Sequence, residues 1–201
     1  TLDELVAQFD IYDLIGLTHG CPNTMLANTC GIGGLPEYGV PAPMTADGPA
    51  GVRFEPIVGT TSTAFPCCTM IASSWNTEIA ELTAAAGAEE AAENQFGVWL
   101  TPALNIHRNF LCGRNFEYFS EDPFISGKMA AAVVKGIHSK GISACVKHFS
   151  CNNKEDNRYE SDSIVSERAL REIYLKGFEI AISESKPLCV MTSYNKLNGH
   201  Y

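Results

Sequence analysis

Lys147 and His148 stand side by side at the end of an apolar run, and they are the hardest pair in this chain to explain as packing. Two groups able to carry positive charge are costly to bury without partners, so a functional role is the natural reading. Three other apolar runs end in the same way. Asp47 follows Met44-Thr45-Ala46. Asn105, His107 and Arg108, then Gly113-Arg114-Asn115-Phe116-Glu117, follow Val98-Trp99-Leu100-Thr101-Pro102, and Met191-Thr192-Ser193-Tyr194-Asn195 completes the run from Leu188. Such groups gathered on one face could bind a polar substrate, and Lys147 as a free amine could form a Schiff base.

Several of these residues also have a purely structural reading. Asp47, before Gly48-Pro49, could be a turn residue bonding its own backbone. Arg114 and Glu117 could form a structural ion pair, which is the expected fate of Glu117. Glu121-Asp122-Pro123 reads as the N-terminal cap of a helix, favoured by the helix dipole. His138, on a helix between Ile137 and Ser139, is expected to be exposed or satisfied, without a role.

The elements that must position these groups alternate between helix and strand. Leu2, Leu5, Val6, Phe9 and Leu14 predict a helix over 2–16. A short extended run lies near 44–46. Asn76 can cap a helix from about 77 to 95, and the run at 98–102 is a short strand stopped by Pro102. Pro123 opens a helix to about Lys140 that Gly141 ends. A strand over 142–149, a helix from Ser166 to about Ser185 and a strand over 188–192 follow. Strands buried on both faces and alternating with helices predict βα units and a parallel sheet. The strand ends that share one face of a β/α barrel hold the active site, and the four polar clusters fall at those ends. No G-x-G-x-x-G and no P-loop supports a nucleotide fold.

With 14 Lys+Arg against 23 Asp+Glu, the formal charge is −9. That balance argues against a nucleic-acid partner, which needs a basic face, and against docking on anionic lipid. Apolar residues at 45% and charged residues at 18% describe a core-forming globular chain. No run of about 18 apolar residues predicts a membrane span. Thr1 and Glu4 suggest a capping box rather than a signal peptide, and the absence of an initial Met suggests that the true start was removed. The eight cysteines contain no C-x-x-C and no zinc spacing. Buried thiols, such as Cys145 and Cys189 within apolar runs, are favoured over a metal site. A reducing, cytoplasmic compartment is the expectation, with no cofactor and no metal.

Taken in order, the polar stretches resemble glycoside hydrolase family 3, in its β-glucosidase branch. The matching segments are Asp47-Gly48-Pro49-Ala50-Gly51-Val52-Arg53, the run from Gly113 to Pro123, Lys147-His148-Phe149, Asn152-Asn153-Lys154-Glu155 to Arg158, Glu167 to Glu172, and Met191 to Gly199. The resemblance implies an α/β fold of TIM type, with residues 1–201 forming about the first four βα units of a (β/α) barrel. It implies a retaining exo-acting β-glucosidase acting on a small carbohydrate. Asp47 would take the sugar's outer hydroxyls, and Arg114, Lys147 and His148 would donate around the ring. Arg158 would hold the charge of the nucleophile, Tyr194 would lie close to it, and Met191 would line the wall.

Retaining hydrolysis needs a nucleophilic carboxylate and a general acid about 5–5.5 Å apart. In this family the nucleophile is an Asp in a Ser-Asp-Trp-type motif after the Tyr194 segment, and the general acid comes from a second domain. The chain contains no Ser-Asp-Trp. Both carboxylates are therefore expected outside residues 1–201, in the rest of the same enzyme or another chain. Four strands would also leave two open sheet edges, so a segment of a larger enzyme is expected. Ser150-Cys151-Asn152-Asn153 replaces the His-bearing loop of the hexosaminidase branch and argues against that activity. A β-xylosidase or arabinofuranosidase of the same family, a Schiff-base aldolase using Lys147, and a non-catalytic sugar-binding segment are the alternatives.

Overall fold

The computed structural model describes residues 1–22 and 26–201. Helix α1 (Leu2–Val6) opens on the expected capping box of Thr1 and Glu4. The helix expected over 2–16 is nevertheless two. The Asp10 carboxylate accepts from the Tyr12 and Asp13 N–H groups and starts α2 (Ile11–Thr18) afresh. A side chain that satisfies free N–H groups competes with helix continuation, and here it outweighs an apolar period that reads straight through.

Strand β1 (Thr45–Ala46) is followed by α3 (Cys68–Ser73) and α4 (Thr77–Glu93), the latter capped by Asn76. Next come β2 (Val98–Trp99), α5 (Pro123–His138) capped by Asp122, and β3 (Ser143–Phe149). A two-residue strand β4 (Asp162–Ser163) precedes α6 (Glu167–Ala169), a π-helical turn over Leu170–Tyr174 and α7 (Lys176–Ser185). Strands β5 (Cys189–Thr192) and β6 (Lys196–Leu197) complete the chain. The helix expected over 166–185 is thus interrupted where Leu175 N–H reaches back five residues to Leu170 O.

Strands β1, β2, β3 and β5 form one parallel sheet in that order. Thr45 pairs with Val98, Trp99 with Ala144, and Lys147 with Met191. The order never reverses, so the sheet has no switch point of the doubly wound kind. It is a run of successive units of a TIM-type β/α barrel, with every strand end pointing the same way. A separate parallel pair, β4 with β6, was not evident from the sequence.

The helical layer packs closely because its contact stripe is small. On α4, Ala80, Ala84, Gly87, Ala88 and Ala91 are buried at helical spacing. A Cβ on Gly136 of α5 would sit on the Glu81 carbonyl, so only glycine admits the α4 backbone there. Ala46, Trp99, Ala144 and Val146 of the sheet join the same core.

Two expectations about single residues need correction. His138 is half-buried rather than exposed or satisfied: its Nε2 has no hydrogen-bond partner, and burial lowers its pKa. Of the eight thiols, Cys68, Cys112, Cys145 and Cys151 are buried, but Cys189 is half-buried because β5 is a sheet edge. Among the described residues no group of His, Cys, Asp and Glu is arranged to hold a metal ion. Nor is any of their helices long and apolar enough to cross a membrane.

Candidate active site

The seven residues singled out above as site candidates line one cavity of about 440 Å3 at the strand ends: Asp47, Arg114, Lys147, His148, Arg158, Met191 and Tyr194. That volume suits a small ligand. Thr29, Arg53, Leu100, Phe116 and Glu117 complete the lining. The sequence marks Glu117 as the structural partner of Arg114, and Arg53 and Phe116 as parts of longer motifs; the structure adds all three to the lining.

Asp47 follows β1 in a turn that Gly48 makes possible, with φ at +109° and a Cβ position already filled by the Gly51 carbonyl. The Asp47 N–H donates to Asn28 Oδ1. Lys147, reaching in from β3, donates from Nζ to Asp47 Oδ1 at 2.6 Å, and Arg53 stands 3.7 Å from Oδ2. Burial by itself would raise the Asp47 pKa, but Lys147, the Gly48 N–H and Arg53 together hold it below the ordinary carboxylate value. Lys147 is 1% exposed, so this ion pair is how a cation is kept inside.

His148 is held from three sides. Asn105 clamps its main chain, accepting from His148 N and donating to His148 O, both at 2.9 Å. Arg114 Nη2 lies 2.9 Å from Nε2, while Asn105 Oδ1 and the Tyr118 hydroxyl lie 3.3 and 3.4 Å from Nδ1. A guanidinium only donates, so Nε2 accepts and the ring is the neutral Nδ1–H tautomer. Burial first, then the charges of Arg114 and Lys147, pull its pKa down to about 2. The imidazole thus orients Arg114 while facing the cavity. Arg114 is also paired with Glu117, its Nε donating to Oε1 at 2.7 Å. Both halves of the structural reading of that pair hold, and the guanidinium still reaches the cavity.

The opposite side is more open. Arg158 donates from Nη1 to Glu155 Oε2 at 3.0 Å and lies over the Tyr159 and Tyr194 rings, 5.2 and 4.7 Å from their centroids. Met191 supplies an apolar wall from β5. His107 and Arg108 do not line the cavity: His107 Nε2 bonds the Asn115 carbonyl, supporting the loop that carries Arg114.

The arrangement is therefore a parallel β/α sheet whose strand ends surround a polar cavity with hydrogen-bonding groups of both kinds. Residues 36–200 match the glycosyl hydrolase family 3 N terminal domain, and the chain belongs to that family. It is 57% identical to β-glucosidase A of Butyrivibrio fibrisolvens over 199 residues, covering 99% of this chain and 24% of that protein. Among solved structures it resembles a β-glucosidase from Paenibacillus barengoltzii, with a TM-score of 0.95 and 45% identity over 100% of this chain and 22% of the other. It also resembles β-glucosidase 3B from Thermotoga neapolitana in complex with α-D-glucose, with a TM-score of 0.93 and 48% identity over 99% of this chain and 30% of the other. The chain spans about a quarter of the length of the curated relatives it matches.

Proposed function

We propose that this chain supplies the glucose-binding subsite of a retaining, exo-acting β-glucosidase that removes terminal non-reducing β-D-glucosyl residues from oligosaccharides or glycosides. The observation that carries the reading is the cavity in which Asp47, Arg114 and Lys147 converge from three strand ends. A ring of vicinal hydroxyls needs such donors and acceptors, fixed at different heights around one small volume. Asp47 accepts from the outer hydroxyls, Lys147 and Arg114 donate around the ring, and His148 completes that wall. Met191 packs on the sugar, while Arg158 and Tyr194 face the side where the reaction occurs. Kinship with named β-glucosidases supports the same assignment.

The two carboxylates among the lining residues, Asp47 and Glu117, are each committed to a cation. Neither is placed as a free nucleophile or as a protonated acid, the two roles that retaining hydrolysis requires. In this reading residues 1–201 are the N-terminal part of the catalytic barrel. A nucleophilic Asp and an acid Glu come from the remaining barrel strands and a second domain of the same enzyme, or from another chain.

The test is turnover of aryl β-glucoside against aryl β-xyloside by the enzyme that contains this chain. Preference for the glucoside is expected. Preference for the xyloside would overturn the assignment in favour of a β-xylosidase or arabinofuranosidase. The Schiff-base alternative is disfavoured by the geometry: Lys147 Nζ is committed to the Asp47 carboxylate at 2.6 Å rather than presented to a carbonyl carbon. No borohydride trapping of a carbonyl substrate is expected.

A further inference from the structure

Glu155 does not line the sugar cavity. It stands behind it, on the wall of a neighbouring cavity of about 320 Å3. Its carboxylate nevertheless pairs with two of the three guanidiniums that line the sugar cavity, those of Arg158 and Arg114. Oε2 accepts from Arg158 Nη1 at 3.0 Å, and Oε1 lies 3.9 Å from Arg114 Nη1. The same Oε1 accepts from Asn152 Nδ2 at 3.1 Å, and Asn152 Nδ2 also lies 3.2 Å from the Tyr118 hydroxyl. That hydroxyl faces His148. A continuous polar chain therefore runs from the imidazole, through Tyr118 and Asn152, to Glu155 and the two arginines.

The count of charges makes Glu155 more than a neighbour. Lys147 has Asp47, and Arg114 has Glu117. Among the described residues Arg158 is ion-paired with Glu155 alone, and without it Arg158 would keep no carboxylate beside the Arg114 guanidinium at the edge of a small cavity. Like charges so placed repel, and a half-exposed arginine relieves that by turning toward solvent.

We propose that Glu155 is a positioning residue for the β-glucosidase reaction: the shared counter-ion that fixes Arg114 and Arg158 relative to each other. The proposal rests on the reading of the site given above. Glu155 touches no sugar and acts through the arginines. Its carboxylate has two oxygens for two cationic partners, a demand that an amide with one oxygen cannot meet.

The experiment compares kcat and KM for an aryl β-glucoside in the enzyme containing this chain, its Glu155→Gln and Arg158→Lys variants, and the double variant. A loss of about 10–100-fold in kcat/KM is expected for Glu155→Gln, by analogy with groups that orient metal ligands from behind. The thermal midpoint should shift little, because the amide retains the Asn152 contact or the Arg158 contact. Because Glu155 acts partly through Arg158, the double variant should lose clearly less than the product of the two single losses. Multiplying losses, or kinetics of Glu155→Gln like those of the parent, would overturn the proposal while leaving the β-glucosidase reading intact. A parent enzyme without aryl β-glucosidase activity would overturn both. Should Glu155→Gln prove unstable, Glu155→Asp keeps the charge, and recovery of most of kcat/KM by it is the expected result; no better recovery than with Gln would count against the role.

Discussion

Lys147 and His148 are 1% and 3% exposed, whereas Tyr194, across the same cavity, and Tyr159, packed on its ring, are 46% and 58% exposed. On the inner wall Lys147 and His148 are held by side chains from other loops, and charge is admitted in pairs. On the outer side Arg158 is held by one carboxylate and by stacking on two half-open rings. The inner wall is finished within this chain. The outer side leaves its phenols half-open, with the Arg158 guanidinium stacked on them. In the proposed function, the closely held side is the one that recognises the sugar ring, and the open side is the one the reacting carboxylates approach.

The sharpest way to break this contrast is to unpair the inner wall. Asp47→Ala leaves a buried ammonium without its carboxylate and should cost about 3–5 kcal/mol of stability. Lys147→Met in the same protein should return much of it, read from the unfolding midpoints of the single and double variants. A single variant as stable as the parent would show that the pair is not the element holding this wall.

A smaller effect comes from pH. The folded protein holds His148 neutral down to about pH 2, whereas an unfolded chain protonates it near 6.5. The unfolded state therefore binds the extra proton, and stability is full above pH 6.5 and falls as the solution is acidified toward 2. Between pH 6.5 and 5 the loss from this ring is about 2 kcal/mol. The Asp47 carboxyl, whose pKa is lowered, adds its own loss only in more acid solution. His148→Gln should flatten the stability profile between pH 7 and 5, and an unchanged slope there would assign the acid sensitivity to other groups.

The outer side should respond least. Tyr159→Leu removes one of two rings over Arg158, a contact worth about 0.5–1 kcal/mol at an exposed site. A change in KM of a few-fold with an unaltered thermal midpoint is expected. A loss as large as that of Asp47→Ala would erase the distinction between the two sides.

Much of this was legible in the sequence because it depends on local signals. Asn76 and Asp122-Pro123 announce helix starts by satisfying their own N–H groups, and the four apolar runs ending in polar clusters mark strand ends. The identity of the cavity residues followed from their types and from family resemblance. Their partnerships were not legible. Asp47 and Lys147 meet across one hundred residues, and nothing local to either specifies the other. Glu155 was visible only as part of a motif, because its pairing with Arg158 is made in a turn that no helical or strand period marks. Asp10 was missed because an apolar period masks a cap within it. The β4–β6 pair was missed because two-residue strands have no pattern to read.

That small pair has a practical consequence. Residues 150–165 carry Glu155 and Arg158, residues 193–201 carry Tyr194, and the two loops are laced together along their length. Ser193 and Asn195 donate to the Ser150 carbonyl, Asn198 bonds Val165 in both directions, and the Tyr201 hydroxyl donates to Tyr159 O. Neither loop can be replaced without leaving the other's hydrogen bonds unmatched. Chimaeras between related enzymes should therefore exchange both loops or neither, and recombination that separates them should be selected against. The outer side of the cavity is built as one cassette.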